Sequence, residues 1–341
     1  MMDDGVSVLF RFLEPMMFRG PGEFDPYVRG THSRAVSMLM PSPSTVSGVI
    51  ATYSLSKRAS TAEISYSVAN WDRAYFDVIG AGTVVRGPLV KVRDELYAEY
   101  QDKDLRGFLK LENVRKRCEE ISAPQRGLSS LERVDLEFDS SGRAGLMLET
   151  RSSPAAKYAK EGFLYGVEYV DYSSSRGRYV GGVAVVVDVF GEGCMDLSSV
   201  RNVAVRLGGE GRVASMTTHH NALILKSLAE KVWKGEKSHR GRLALYAATP
   251  VLFKGGKTVQ QLVHEWSGGK GYRFLGLAGR STIVGAGYVL GLGRRKPVYS
   301  ALAPGSVILV EGGFDLLRVY FDGLGEACGI GFGTVIPVPL S

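Results

Sequence analysis

The chain ends in GLGEACGIGFGTVIPV, which places Gly323, Gly325, Gly329, Gly331 and Gly333 within eleven positions, just before an apolar strand. Glycine loses more backbone freedom on folding than any other residue. Such a density therefore marks a place where φ must be positive or where another backbone comes very close. Two structures meet that demand: a backbone surface that cradles a phosphate chain, and a hairpin loop with dihedrals that other residues resist. Either way, the fold has to carry something up against its own last strand.

The chain's 43 glycines, set among many Val, Tyr and Phe residues, favour strands joined by glycine turns. Strands are expected at 6–13, 76–85, 143–149, 163–172, 180–190, 243–253, 306–312, 316–321 and 334–340. Helices are fewer. Ser42 can cap a helix that takes Pro43 as its first residue, and Val46, Val49, Ile50 and Tyr53 then recur on one face. A second, charged helix is expected over 101–120, and a third over 258–266, where Val259, Leu262, Val263 and Trp266 align. The region from Lys226 to Arg242 also reads as helix-like. A strand, a helix and further strands, once in each half, suggest an α+β chain of two tandem ferredoxin-like units with antiparallel sheets and loop insertions. Their junction is expected near SSSRGRYVGG at 173–182, giving domains 1–180 and 181–341.

Charge and cysteine content narrow the partners. Lys and Arg number 42 against 35 Asp and Glu, a net +7 that suits a polyanionic partner. Three cysteines, Cys118, Cys194 and Cys328, are widely spaced, as free thiols of a reducing compartment are. The first residues are acidic and their apolar run is interrupted by Arg11, so a soluble, cytoplasmic protein without a membrane partner is expected.

Two segments imitate nucleotide-binding motifs. In LFKGGKTVQQLV the first glycine of a P-loop would fall at Val251 inside a strand, so no phosphate-wrapping loop exists. After TIVGAGYVLGLG, the helix that should receive a pyrophosphate meets Gly291, Gly293 and Pro297 within two turns. No cofactor is expected. The five histidines show no paired-ligand spacing, so no metal is expected either. His32 lies between Arg29 and Arg34, where it could serve an RNA-cleaving enzyme as general acid or base, but no second acid or base stands near it in sequence. The basic residues are dispersed. Arg19 follows the first strand, Arg176 and Arg178 border the junction, and Arg294, Arg295 and Lys296 precede Pro297. Cations on separate loops suit the path of a single nucleic-acid strand. The closing GIGFGTVI contains one aromatic, Phe332, so contact through backbone is expected there in preference to base stacking.

Several segments, taken in order, resemble the RAMP superfamily of CRISPR systems, nearest to the third subunit of the Cmr (type III-B) RNA-guided effector complex. They are LEPMMFRG, PSPSTVSGVI, KEGFLYGVEYV, RLGGEGR, ATPVLF, RRKPVYSALAPGSVILV and GIGFGTVIPVP. The resemblance implies a non-catalytic subunit that holds the 5′ repeat-derived handle of the crRNA. It also implies docking to a Cas10-type large subunit beside other RAMP subunits. RNA contacts are then expected at Arg19, His32 and Arg34, at Ser42, Ser44 and Thr45, and at Arg176, Arg178, Arg212 and Arg280. Arg294, Arg295 and Lys296, with Gly329, Gly331, Phe332 and Gly333, complete the set. The alternative within the superfamily is a Cas6-like crRNA-processing endoribonuclease using His32. Glu326, Ala327 and Cys328 make the first half of the terminal loop less purely glycine than the superfamily pattern.

Overall fold

The run VAVVVDVF at Val183–Phe190 has no polar alternation and is buried along nearly its whole length, which requires cover on both faces. The computed structural model provides it; residues 5–20, 34–57, 70–102, 105–123, 133–150, 157–192, 194–209, 211–219, 223–289 and 294–341 are described. This strand lies inside a seven-stranded antiparallel sheet, between Gly5–Phe12 and Val84–Val92. The sheet continues through Glu95–Gln101 to Arg106–Lys110 on one side, and through Val213–His219 to Val203–Arg206 on the other. Successive side chains of a strand point to opposite faces. Accordingly Val185, Val187 and Val189 join one core, while Ala184, Val186 and Phe190 join another.

The first core is closed by helix α1 (Pro43–Lys57) and helix α2 (Arg73–Ile79), which bury Val46, Ile50, Tyr75 and Val78 against it. The second is closed by helix α3 (Leu111–Ser122) and by a four-stranded antiparallel sheet. Its order is Arg273–Ala278, Val307–Asp315, Ser238–Ala247, Val335–Pro339. The last strand of the chain thus pairs with Ser238–Ala247, and every residue of it is buried. A smaller sheet of Val251–Phe253, Val298–Leu302 and Ser281–Gly285 brings the Lys296 segment across to α1.

Several expected elements change identity. The stretch expected as a strand over 76–85 begins as α2, whose Tyr75, Val78 and Ile79 are buried at i, i+3, i+4, and the strand starts only at Val84. Likewise 316–321 is a helix, Leu316–Asp322, with the Asp315 carboxylate accepting the Arg318 N–H at 3.0 Å. In runs this short, apolar spacings fit period 2 and period 3.6 alike, and packing decides. The helix expected at 101–120 is a strand to Lys110 followed by α3. The Lys226–Arg242 region is two short helical turns, Leu223–Ser227 and Leu228–Val232, that give way to a strand. The helix expected at 258–266 is present as Val259–Ser267, fixed by a reciprocal capping box between Thr258 and Gln261. The expected junction at 173–182 does not coincide with the change of sheet. Val183–Phe190 is interior to the first sheet, which draws on residues up to His219, and the second sheet opens at Ser238.

Where the two cores meet, polar groups are buried in a network. The Asp188 carboxylate accepts the Ser7 hydroxyl at 2.7 Å and the Tyr320 hydroxyl at 3.3 Å. Burial outweighs these bonds and pushes its pKa up to about 7. An acid whose folded pKa exceeds its unfolded value stabilises the fold at low pH, and that contribution disappears as pH rises through the folded pKa. Stability is therefore expected to fall between about pH 4 and about pH 7. Glu99, raised by burial to about 7, contributes a slope of the same sign. Thermal melting across this range should show the decline, and Asp188→Asn should flatten it by roughly half. A wild-type curve that rises through this window would contradict the assignment.

Candidate nucleic-acid interface

The N-terminus of α1 is shaped by PSPST. The Ser42 carbonyl accepts the N–H groups of Thr45 and Val46, and the Ser42 hydroxyl lies 3.3 Å from the Thr45 nitrogen and 2.7 Å from the Ser44 hydroxyl. Ser44 is buried and donates to the Ala286 carbonyl at 3.0 Å. This bond ties α1 to the segment that carries Lys296. There the Ala286 N–H donates to the Pro297 carbonyl and the Lys296 N–H to the Gly287 carbonyl, turning the Lys296 side chain toward α2.

Lys296 is half-buried between two rings. Its Nζ lies 4.7 Å from the Trp71 ring centre and 4.8 Å from that of Tyr75, and it donates to the Tyr75 hydroxyl at 2.7 Å. Tyr75 in turn donates to the Ser44 carbonyl at 2.9 Å. The Trp71 indole N–H donates to the Tyr299 hydroxyl at 3.1 Å. Among the described residues no carboxylate pairs with Lys296. Desolvation lowers its pKa to about 8, so it is charged at neutral pH and held by ring faces. Arg294 and Arg295 are exposed beside it. The arrangement brings a cation without a carboxylate partner among the described residues, two exposed arginines and the partly exposed hydroxyls of Ser42 and Thr45 to one helix start, a combination matched to a phosphodiester chain.

The terminal glycine loop lies against this site from within. Residues 330–333 are buried, and three of the loop's N–H groups donate within the chain. Ile330 donates to Ala327, Gly331 to Cys328 and Gly333 to Pro250. Its carbonyls are equally occupied: Ser47 donates to Ile330, Thr249 to Gly331, and the Val85 N–H to Gly329. Phe332 is fully buried, edge-on to Trp71 at 6.2 Å, and offers no face to a base. The close backbone approach that the glycines require is therefore an approach of the chain to itself.

The other expected contacts are dispersed. Arg19 is exposed and its backbone bridges to Ser37, while Arg34 lies on a two-residue strand parallel to Gly166 and Val167. His32 lies outside the described residues. Arg212 forms an ion pair with Glu14 and stacks 4.3 Å from the Tyr169 ring centre, so its charge is engaged within the fold. Arg280 is exposed and reaches the Asp102 carbonyl at 3.4 Å. Arg176 and Arg178 stand on a separate hairpin. The sequence reading missed Trp71 and Tyr75, because both fell beside a stretch taken as a strand. Their signal was the i, i+4 spacing of two large aromatics in WDRAY. Lys257, the lysine of the false P-loop, is paired with Glu265 at 2.7 Å. Among the described residues no group of three or more His, Cys, Asp and Glu side chains is placed to hold a metal, and no helix is long and apolar enough to cross a membrane.

The architecture has counterparts among solved structures. A chain of the cryo-EM structure of the Type III-B Cmr-beta bound to cognate target RNA and AMPPnP matches with a TM-score of 0.60 at 17% identity, over 89% of this chain and 86% of that one. A chain of the Type III-B Cmr-beta bound to cognate target RNA matches with a TM-score of 0.59 at 18% identity, over the same shares. These place the protein in a class of α+β folds with antiparallel sheets found in type III-B CRISPR assemblies. Residues 87–338 match the model of the CRISPR-associated protein family Cas_Cmr3, and the chain belongs to that family. The Cmr3 subunit of the CRISPR system CMR of Saccharolobus solfataricus strain P2 is 24% identical over 224 residues, 61% of this chain and 62% of that relative. The chain thus matches somewhat less than two thirds of the relative's length. The resemblance drawn from the motifs is borne out at the level of the family.

Proposed function

We propose that this protein is a non-catalytic, crRNA-binding subunit of a type III-B (Cmr) effector complex that holds the 5′ repeat-derived handle and docks a Cas10-type large subunit beside other RAMP subunits. The observation that carries the reading is the convergence of PSPST, Lys296 and the aromatic pair Trp71 and Tyr75 at one helix start. These residues belong to segments distant in sequence, and what they assemble is suited to phosphate. Membership of the Cas_Cmr3 family supports the setting. In this reading the two sheet systems are two ferredoxin-like units, the second beginning after His219, and the glycine loop is the internal wedge that holds α1 against the RNA.

The test is titration of the full chain with a single-stranded RNA carrying a repeat-derived handle, at several salt concentrations and pH values. Lys296→Ala should weaken binding and reduce the magnitude of the salt slope by about 0.7, the share of one single-strand phosphate contact. Because the Lys296 pKa is lowered to about 8, the wild type should lose affinity as pH rises past that value. Lys296→Arg, charged throughout, should not. Salt-independent binding, or Lys296→Ala equal to wild type, would overturn the site. Specific cleavage of the RNA that disappears in His32→Ala would overturn the non-catalytic reading.

A further inference from the structure

The hairpin Ser174–Ser175/Arg178–Tyr179 leaves one large aromatic almost wholly in water. Tyr179 is 84% exposed, the most exposed large hydrophobic side chain described. A tyrosine ring has 150 Å² or more to bury, on the order of the area that dominates a contact, so a solvated one on a rigid element invites a flat partner. This hairpin is rigid for identifiable reasons. Its centre is a tight turn with two positive-φ residues, Arg176 at 50° and Gly177 at 71°. From outside, the Asp139 carboxylate accepts the Ser174 hydroxyl and the Gly177 N–H, the latter at 2.8 Å. These bonds, with the Arg176 N–H, hold the Asp139 carboxyl below its usual range. At the base, Val180 donates to Ser173 at 2.7 Å and Arg93 to Gly182 at 3.2 Å. Tyr179 itself rests on Gly181, where an added Cβ would lie 3.2 Å from the ring.

The charges around the ring are of one sign on its own strand. Arg178 is exposed next to Tyr179, and among the described residues no carboxylate pairs with it. Arg176 across the turn reaches Glu137 at 3.8 Å, with both side chains largely in solvent. Arg93 is exposed at the neighbouring turn. Consecutive strand residues face opposite ways, so Tyr179 stands on one face of the hairpin and Arg178 on the other; an RNA strand passing over the hairpin can stack an unpaired base on the ring and bring a neighbouring phosphate to the cation.

We propose that the hairpin Ser173–Gly182 is a base-stacking finger, in which Tyr179 receives an unpaired base of single-stranded RNA and Arg178 the adjoining phosphate. The inference rests on the RNA-binding reading above and extends it to a second element, built independently of the Lys296 site. A protein surface docking on Tyr179 is the competing occupant. The preference for RNA comes from the unpaired Arg178 and the net +7 of the chain.

The experiment uses the full chain and a handle-containing single-stranded RNA in which 2-aminopurine replaces individual bases, with fluorescence as the stacking signal. For wild type, quenching at one position is expected. Tyr179→Ala should abolish that quenching and weaken binding about tenfold, with the salt slope unchanged because stacking releases no counterion. Tyr179→Phe keeps the ring and should stay within about twofold of wild type. Arg178→Gln should lower the magnitude of the salt slope by about 0.7. All three variants should melt as the wild type does, since the altered side chains are solvated. If Lys296→Ala weakens binding while Tyr179→Ala neither changes affinity nor quenching, the finger is overturned and the RNA-binding reading stands. If wild type binds no RNA, both fall. If Tyr179→Ala leaves RNA binding intact but releases a co-purified Cas10-type subunit, the ring is a protein contact and the proposal is overturned.

Discussion

Arg86→Met is expected to lower stability by about 3–5 kcal/mol, a large fraction of what holds a domain folded. Arg86 is 1% exposed, the largest fully buried side chain among the described residues. Its Nε donates to the Tyr320 carbonyl at 2.8 Å and its Nη1 to the Val85 carbonyl at 2.7 Å. Further donations reach the carbonyls of Phe321 and Cys328. Tyr320 and Phe321 lie in the last turn of the helix Leu316–Asp322, whose final carbonyls have no partners within the helix, while Cys328 opens the glycine loop. One guanidinium from the first sheet therefore completes the end of a helix in the other half and fastens the terminal loop. Met fills similar volume but supplies no donor, so the carbonyls stay buried and unsatisfied, each at a cost of about 1–3 kcal/mol less whatever water can enter. Arg86→Lys, with one point-like donor group in place of a fork, should recover only part of the loss. The measurement is denaturant unfolding of the three proteins. A Met variant within about 1 kcal/mol of wild type would show that the helix end and the loop are held by something else.

Gly331→Val is expected to be at least as damaging, costing about 4 kcal/mol or more. Gly331 has φ of +100°, a conformation that a β-branched residue resists, and an added Cβ would stand 2.8 Å from the Gly87 carbonyl oxygen and 3.2 Å from Pro43 Cβ. Neither neighbour can yield cheaply. Gly87 belongs to a central strand of the first sheet, and Pro43 is the first residue of α1. Gly331→Ala should show a smaller loss of the same kind. Thermal melting and RNA titration of both variants would separate the roles. Stability should fall first, and RNA affinity should fall with it because α1 is displaced at its start. A Gly331→Val protein that melts as wild type yet loses RNA would instead make the loop a direct contact. One that keeps both properties would show that the wedge has room to spare.

The contrast between these two residues separates what was readable in the sequence from what was not. The start of α1 was legible, because a cap and a first-position proline act on the adjacent N–H groups and need nothing distant. The capping box at Thr258 was legible only as a helix start, and the strand character of 183–190 was plain from its valines. Density of glycine likewise announced that backbones come close at the chain end. Which backbone approaches was undetermined, since an added Cβ is excluded equally by a phosphate and by a carbonyl of the chain itself. Only the folded structure shows the Gly87 and Leu324 carbonyls in that place.

Short elements were misread for a related reason. Over seven residues Arg73–Ile79 and Leu316–Asp322 carry too few apolar positions for periodicity to choose between helix and strand, and the choice is made by what they pack against. At the candidate interface, Ser42 could be picked out as a helix cap and Lys296 as part of a basic run, while Ser44 entered only with the family resemblance. The bond between Lys296 and Tyr75 spans 221 positions and could not. Sequence by itself determined the α+β composition, the helix start, the strand-rich core and the cationic excess, all of which depend on neighbours within a few residues. The order of strands, the burial of Arg86, the inward use of the glycine loop and the ring pair around Lys296 were decided by tertiary structure alone, because each depends on which distant segments exclude water from one another.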